Sequence, residues 1–137
     1  MANTPKEIAN KLLQNDAFSK WLGIEIIAVS KGYCKLKMKV RKEMLNGFAI
    51  AHGGITYSFA DTCLAFASNS NGKHSMSVET SISHIKSCKE NEILFAESEE
   101  LNVSNKIAVY QIVVKNQKDE KIAFFKGICY VSSREWE

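Results

Sequence analysis

The sequence predicts an α+β fold in which an antiparallel sheet of about five to six strands wraps one long central helix. Three observations predict it. The stretch Met44–Gly72 holds a single formally charged residue, Asp61, where the chain-wide charged content of 24% would place about seven. Inside that stretch, from Gly53 or Gly54 to about Asn69, Ile55, Phe59, Cys63 and Phe66 recur at helical spacing, flanked by Ala60 and Ala67, with Tyr57 and Leu64 well round the other side. A helix apolar over most of its circumference has to be buried. On either side of it lie segments with the two-residue alternation of strands, joined by short polar turns. One layer of sheet closed around one helix is the economical way to bury both. At 137 residues and 45% hydrophobic content the chain reads as a single domain, residues 1–137, with enough core to need no staples.

The elements follow in order. Residues 4–15 form a short helix: Thr4 caps it, Pro5 suits its first position, Glu7 completes a capping box, and Ile8, Leu12 and Leu13 make its apolar stripe. Phe18, Trp21 and Leu22 lead into Gly23. Residues 23–30 are a first strand and Lys31-Gly32 a turn. From Tyr33 to Val40 the alternation is cleanest, with Cys34, Leu36, Met38 and Val40 on the buried face and Tyr33, Lys35, Lys37 and Lys39 on the wet one. A loop from Arg41 to Ala51, carrying Asn46-Gly47, precedes the long helix, which ends in Asn69, Ser70, Asn71 and Gly72. Four strands follow, at 75–86, 93–103, 107–114 and 122–131. In the first of them Met76, Val78, Thr80 and Ile82 share one face and Ser77, Glu79, Ser81 and Ser83 the other. The last two are apolar on both faces in part, which points to contact with another copy of the chain.

Composition excludes several classes of function. A net charge of +3 without a Lys/Arg block interleaved with aromatics gives no nucleic-acid surface. No run is apolar enough for a membrane span, and the polar N-terminus carries no signal-peptide core, so a cytoplasmic protein is expected. Cys34, Cys63, Cys88 and Cys129 form no C-x-x-C pair and stand at no zinc spacing. They read as buried free thiols, with no metal site and no cofactor.

Chemistry concentrates in the charge-poor stretch. A helix that starts at Gly53-Gly54 offers unpaired backbone N–H groups, the positive end of its dipole, and room for a ligand to approach the chain. That suits an oxyanion or a polarised carbonyl. Asp61, about two turns on from Gly54, is a carboxylate in apolar company, which has to be paired, neutral or functional; its functional reading is nucleophile or general base. His52, beside the glycines, either orients a substrate carbonyl or fixes the loop. Asn46 either makes the turn or places a water or carbonyl. His74 and His84 receive no role.

With these residues in place, LNGFAIAHGGITYSFADTCLAFASNS resembles the active-site segment of PaaI-like acyl-CoA thioesterases of the hotdog fold, and the order of elements is similar over about residues 5–132. The resemblance implies hydrolysis of an acyl-CoA to free acid and CoA, in dimers whose sheets join edge to edge and commonly pair again, with sites between subunits. It assigns Asp61 as the catalytic carboxylate and Gly54, with Gly53, as the carbonyl-polarising position on the partner subunit. His52 and Asn46 would place thioester and water, and Ser77 would lie near the leaving group. Lys86, Lys89 and Lys106 are candidates to meet CoA phosphates. Two positions depart from the family pattern: Ala49 stands where glycine is common and Phe59 where leucine is usual. Two other readings remain, a hotdog hydratase or dehydratase and a non-catalytic acyl-CoA-binding module.

Overall fold

The computed structural model describes residues 3–137. Its elements are α1 (Pro5–Gln14), α2 (Ala17–Leu22), β1 (Glu25–Ser30), β2 (Tyr33–Lys39), a single 3-10 turn at Lys42–Met44, α3 (Gly53–Asn69), β3 (Lys73–His84), β4 (Ile93–Val103), β5 (Ile107–Lys115) and β6 (Lys121–Glu135). The six strands form one sheet in the order β1-β2-β4-β5-β6-β3, and every neighbouring pair is antiparallel. The strand that follows α3 therefore lies at the far edge of the sheet, which lets the sheet curl around the helix. α3 touches all six strands.

The core follows the predicted alternation. Cys34, Leu36, Met38 and Val40 turn inward, as do Leu94 and Ala96 of β4 and Ala108, Tyr110, Ile112 and Val114 of β5. They close on Phe59, Ala60, Cys63, Phe66 and Ala67 of α3. Leu64, on the opposite flank of the helix, is equally buried, because β6 makes room for it. A Cβ at Gly127 would stand 2.4 Å from Leu64 Cδ2, so only glycine lets strand and helix approach this closely. Tyr57 meets Phe125 edge-on and hydrogen-bonds Thr80.

The first helix is capped as predicted: Thr4 Oγ1 accepts from the Glu7 N–H and Glu7 reaches back to the Thr4 N–H. Residues 17–22, expected as a mere lead-in to Gly23, form a second helix. It is six residues long, too short for a helical period to show in sequence. Asp16 caps it and Gly23, at φ +76°, ends it.

β3 corrects the expectation for its faces. A register shift between Ser77 and Glu79 breaks the alternation, so Met76 and Val78 do not share a buried face with Ile82. Met76 is 74% and Val78 65% exposed, on a strand paired to β6 alone. β6 runs four residues past its expected end, and Trp136 beyond it stacks on His74 at 4.0 Å and donates its indole N–H to Asn69 Oδ1. Among the described residues no helix is long and apolar enough to cross a membrane, and no group of three metal-ligating side chains gathers.

Candidate active site

The loop before α3 is built around Asn46. Its Oδ1 accepts from the Phe48 N–H at 2.9 Å and the Ile50 N–H at 3.4 Å, so the turn reading of this residue holds and its amide nitrogen is left for other work. Ala49 adopts φ +60°, in the left-handed region. That explains why glycine suits this position, and the strain of holding an alanine there falls on a loop that touches the site.

His52 caps α3. Its Nδ1 accepts the Gly54 N–H at 2.8 Å, and its backbone carbonyl takes the Ile55 N–H at 2.9 Å. A neutral ring that accepts at Nδ1 carries its proton on Nε2, which is therefore a donor facing outward. The Gly54 N–H, which the resemblance assigns with Gly53 as carbonyl-polarising, is engaged by the cap in the single chain. The Gly53 N–H has no acceptor among the described residues, and it stands at the positive end of a 17-residue helix.

Beside this helix end opens a cavity of about 240 Å³, lined by Asn46, Ile50, Ala51, Gly53, Thr56, His84, Ile85, Lys86, Ser87, Cys88 and Ile122. His84 was assigned no role in sequence, yet its ring lies directly over Gly53: a Cβ there would meet Nε2 at 3.3 Å. Thr56 Oγ1 donates to the Gly53 carbonyl at 3.1 Å, so His84 Nδ1, 3.4 Å away, has to be the donor to Thr56. Its Nε2 is then an acceptor facing the glycine. His84 and Gly53 are 31 positions apart in a chain where no local motif links them, and the antiparallel return of β3 brings them together. Burial, and then Glu92, push the Cys88 thiol up to about 11, so the cavity's cysteine is a wall rather than a nucleophile. Lys86 pairs with Glu120 at the cavity's rim.

Asp61 lies elsewhere. Eight residues beyond Gly53 along α3, it is about 12 Å farther down the helix axis. It is half-buried and makes no ion pair among the described residues. Burial raises its carboxyl above the ordinary aspartate value, and Asp16 at the start of α2 raises it further. Ser77 sits on exposed β3, opposite Cys129. Within one chain the structure therefore gathers Asn46, His52, Gly53 and Gly54 with His84 and Thr56 at one end of α3. Asp61 and Ser77 are not part of that group.

Residues 48–123 match the sequence model of the thioesterase superfamily. Over 125 residues the chain is 40% identical to a putative esterase of Archaeoglobus fulgidus, covering 91% of this chain and 81% of that one. Over 127 residues it is 32% identical to the acyl-coenzyme A thioesterase PaaI of Escherichia coli, covering 93% and 91%. The solved structure of the E. coli PaaI protein, from the phenylacetic acid degradation operon, superposes with a TM-score of 0.94 at 30% identity, covering 97% of this chain and 96% of that chain. A hypothetical thioesterase of Streptococcus pneumoniae, solved with coenzyme A, shares the fold at a TM-score of 0.86 and 22% identity, with 93% and 98% covered.

Proposed function

This chain belongs to the thioesterase superfamily, with the hotdog architecture of sheet around helix, and we propose that it hydrolyses acyl-CoA thioesters to free acid and CoA with Asp61 as the reacting carboxylate. The observation that carries the reading is one half-buried, unpaired aspartate on a helix whose glycine start presents a free backbone N–H. A thioester carbonyl gains negative charge as it is attacked, and the N–H groups of a helix start are aimed to receive it. In this chain the Gly53 N–H is the donor in hand. The Gly54 N–H becomes a second one when the carbonyl oxygen replaces His52 Nδ1 as its acceptor, and His52 Nε2–H or the amide of Asn46 holds the substrate from the side. Asp61 supplies the attack, either by taking a proton from water or as the nucleophile itself. The thiolate of CoA leaves without strong acid assistance, so a carboxylate and an oxyanion site suffice.

Asp61 and the glycine end stand too far apart along one helix to meet one carbonyl. We therefore place each site between two copies of the chain, with Asp61 from one and Asn46, His52, Gly53 and Gly54 from the other. The bare edge at β3 supports pairing with a second copy: Met76 and Val78 point to solvent there, and Ile85, just past its end, is 58% exposed. On that arrangement Ser77 lies at the seam, where it can approach the leaving thiol. A dimer of dimers is the assembly in keeping with the half-buried outer face of β5. Four free, buried thiols support a reducing, cytoplasmic setting. The test is release of free thiol over a panel of aromatic, medium-chain and long-chain acyl-CoAs. Turnover of at least one, lost in Asp61→Asn, is the expected result. A thermal shift with CoA esters but no thiol release would instead mark a binding module.

A further inference from the structure

One serine ties α2 to α3. Asp16 Oδ1 accepts the Ser19 N–H at 2.9 Å and its Oδ2 accepts the Ser19 hydroxyl at 2.7 Å. Ser19 is fully buried, and its Oγ lies 2.9 Å from Thr62 Oγ1 on α3. Since the single hydroxyl hydrogen of Ser19 goes to Asp16, Thr62 is the donor in that contact. The hydrogens run one way, from Thr62 to Ser19 to Asp16, and end on a carboxylate. Thr62 is the residue next to Asp61.

Capping alone does not call for a carboxylate at residue 16. Asn or Ser would accept the Ser19 N–H as well without a second charge near Asp61; only the bond from the Ser19 hydroxyl uses the carboxylate's other oxygen. The charge is not balanced locally either, for Asp16 has no ion-pair partner among the described residues. A like charge that raises the Asp61 carboxyl, with no ion pair to either acid among the described residues, costs stability and asks for another reason. We propose that Asp16 is a positioning residue for Asp61, a second carboxylate that α2 carries up to α3 and pins there through Ser19 and Thr62. The proposal rests on the reading of Asp61 as the reacting carboxylate.

Asp16, the cap of α2, raises the Asp61 carboxyl after burial, and the charge of Asp61 adds to the burial that keeps the Cys129 thiol on β6 neutral. Asp16 is thus the charged neighbour supplied from outside α3. Its field keeps Asp61 more basic than burial alone would, and a more basic carboxylate takes a proton from water, or attacks, more readily near neutral pH.

The test uses Asp16→Asn, which keeps an acceptor for the Ser19 N–H and removes the charge together with the acceptor for the Ser19 hydroxyl. It follows kcat/KM against pH on the acyl-CoA turned over fastest, beside the carboxyl 13C shift of Asp61 over the same range. The acid limb and the Asp61 midpoint are both expected to fall by about half a pH unit, the scale of one like-charged neighbour in a partly wet site. Asp16→Ser repeats the measurement with a different cap. Ser19→Ala, which leaves the charge and cuts the tie, should lower kcat several-fold with KM unchanged. Midpoints that stay where they are in both Asp16 variants overturn the proposal. An Asp61 midpoint that moves while the acid limb stays shows instead that Asp61 is not the reacting group, and the failure then lies with the reading of the site; an Asp61→Asn variant that keeps its turnover reports the same failure.

Discussion

At its C-terminal end α3 runs into Asn69 and Ser70, buried polar residues whose groups are spent on the fold. Asn69 donates to the carbonyls of Ala65 and Ser75 and accepts from the Ser75 N–H and the Trp136 indole. Ser70 ties the same end to the β1–β2 turn, accepting from the Gly32 N–H within it and reaching the carbonyl of Ser30 just before it. At the N-terminal end of the same helix the Gly53 N–H is unclaimed among the described residues and His84 presents an acceptor beside it, both lining a cavity, while the adjacent His52 carries a ring donor. Saturation and spare capacity thus sit at opposite ends of one rigid 17-residue rod. The saturated end anchors the helix, and this lets the other end hold unsatisfied groups in fixed directions without collapsing onto them.

The contrast can be broken at several points. The largest effect belongs to Asp61, which lies between the two ends. Asp61→Asn should cost about a thousandfold in kcat, the usual size for loss of a general base, with KM little changed. It should not cost stability. The folded-state pKa of Asp61 is raised above its ordinary 3.8, so the folded protein binds this proton more tightly than the unfolded chain. The stability this gives is fully present below about the ordinary value and is lost as pH rises through the folded one. Asp61→Asn should therefore raise Tm at pH 7, with the gain fading as both proteins are titrated toward acid. A lower Tm at pH 7 would show that Asp61 has a structural partner.

Next in size is the anchoring end. Asn69→Ala leaves the Ser75 N–H and the Trp136 indole without their acceptor, and a loss of about 2–3 kcal/mol in denaturant unfolding is expected. Activity per folded molecule should survive. If turnover falls as steeply as stability, the two ends are not separate devices. The smallest effect is at His84→Ala, on the open side of the cavity. KM should rise about fivefold, as for loss of one hydrogen bond to the substrate, with unfolding free energy moved by less than about 0.5 kcal/mol. A stability loss above that would assign His84 to the fold and not to the cavity.

Much of this was legible before any coordinates, and for local reasons. The buried helix showed itself because its charges were missing and its phenylalanines recur at helical spacing. β2 showed itself because four lysine- or tyrosine-bearing positions alternate with four apolar ones. The first cap, the turn at Gly32 and the end of α3 are each written within five residues. What failed to show is equally specific. α2 is shorter than two turns, so periodicity had nothing to act on. β3 reads as a partial alternation, but a register shift between Ser77 and Glu79 undoes it, and such shifts are set by the partner strand. Which of the two glycine N–H groups is free does not show either, because nothing in sequence says which way the His52 ring turns.

By itself, then, the sequence determined which helix is buried, where its glycine start lies and that one carboxylate is kept inside it, since each follows from spacing along a few turns of chain. Tertiary structure alone decided which N–H is free, that His84 stands over Gly53 and that Asp16 reaches the neighbourhood of Asp61. Those contacts join residues 31 and 45 positions apart, and they exist because antiparallel return and a buried serine bring the segments together, which no local pattern encodes.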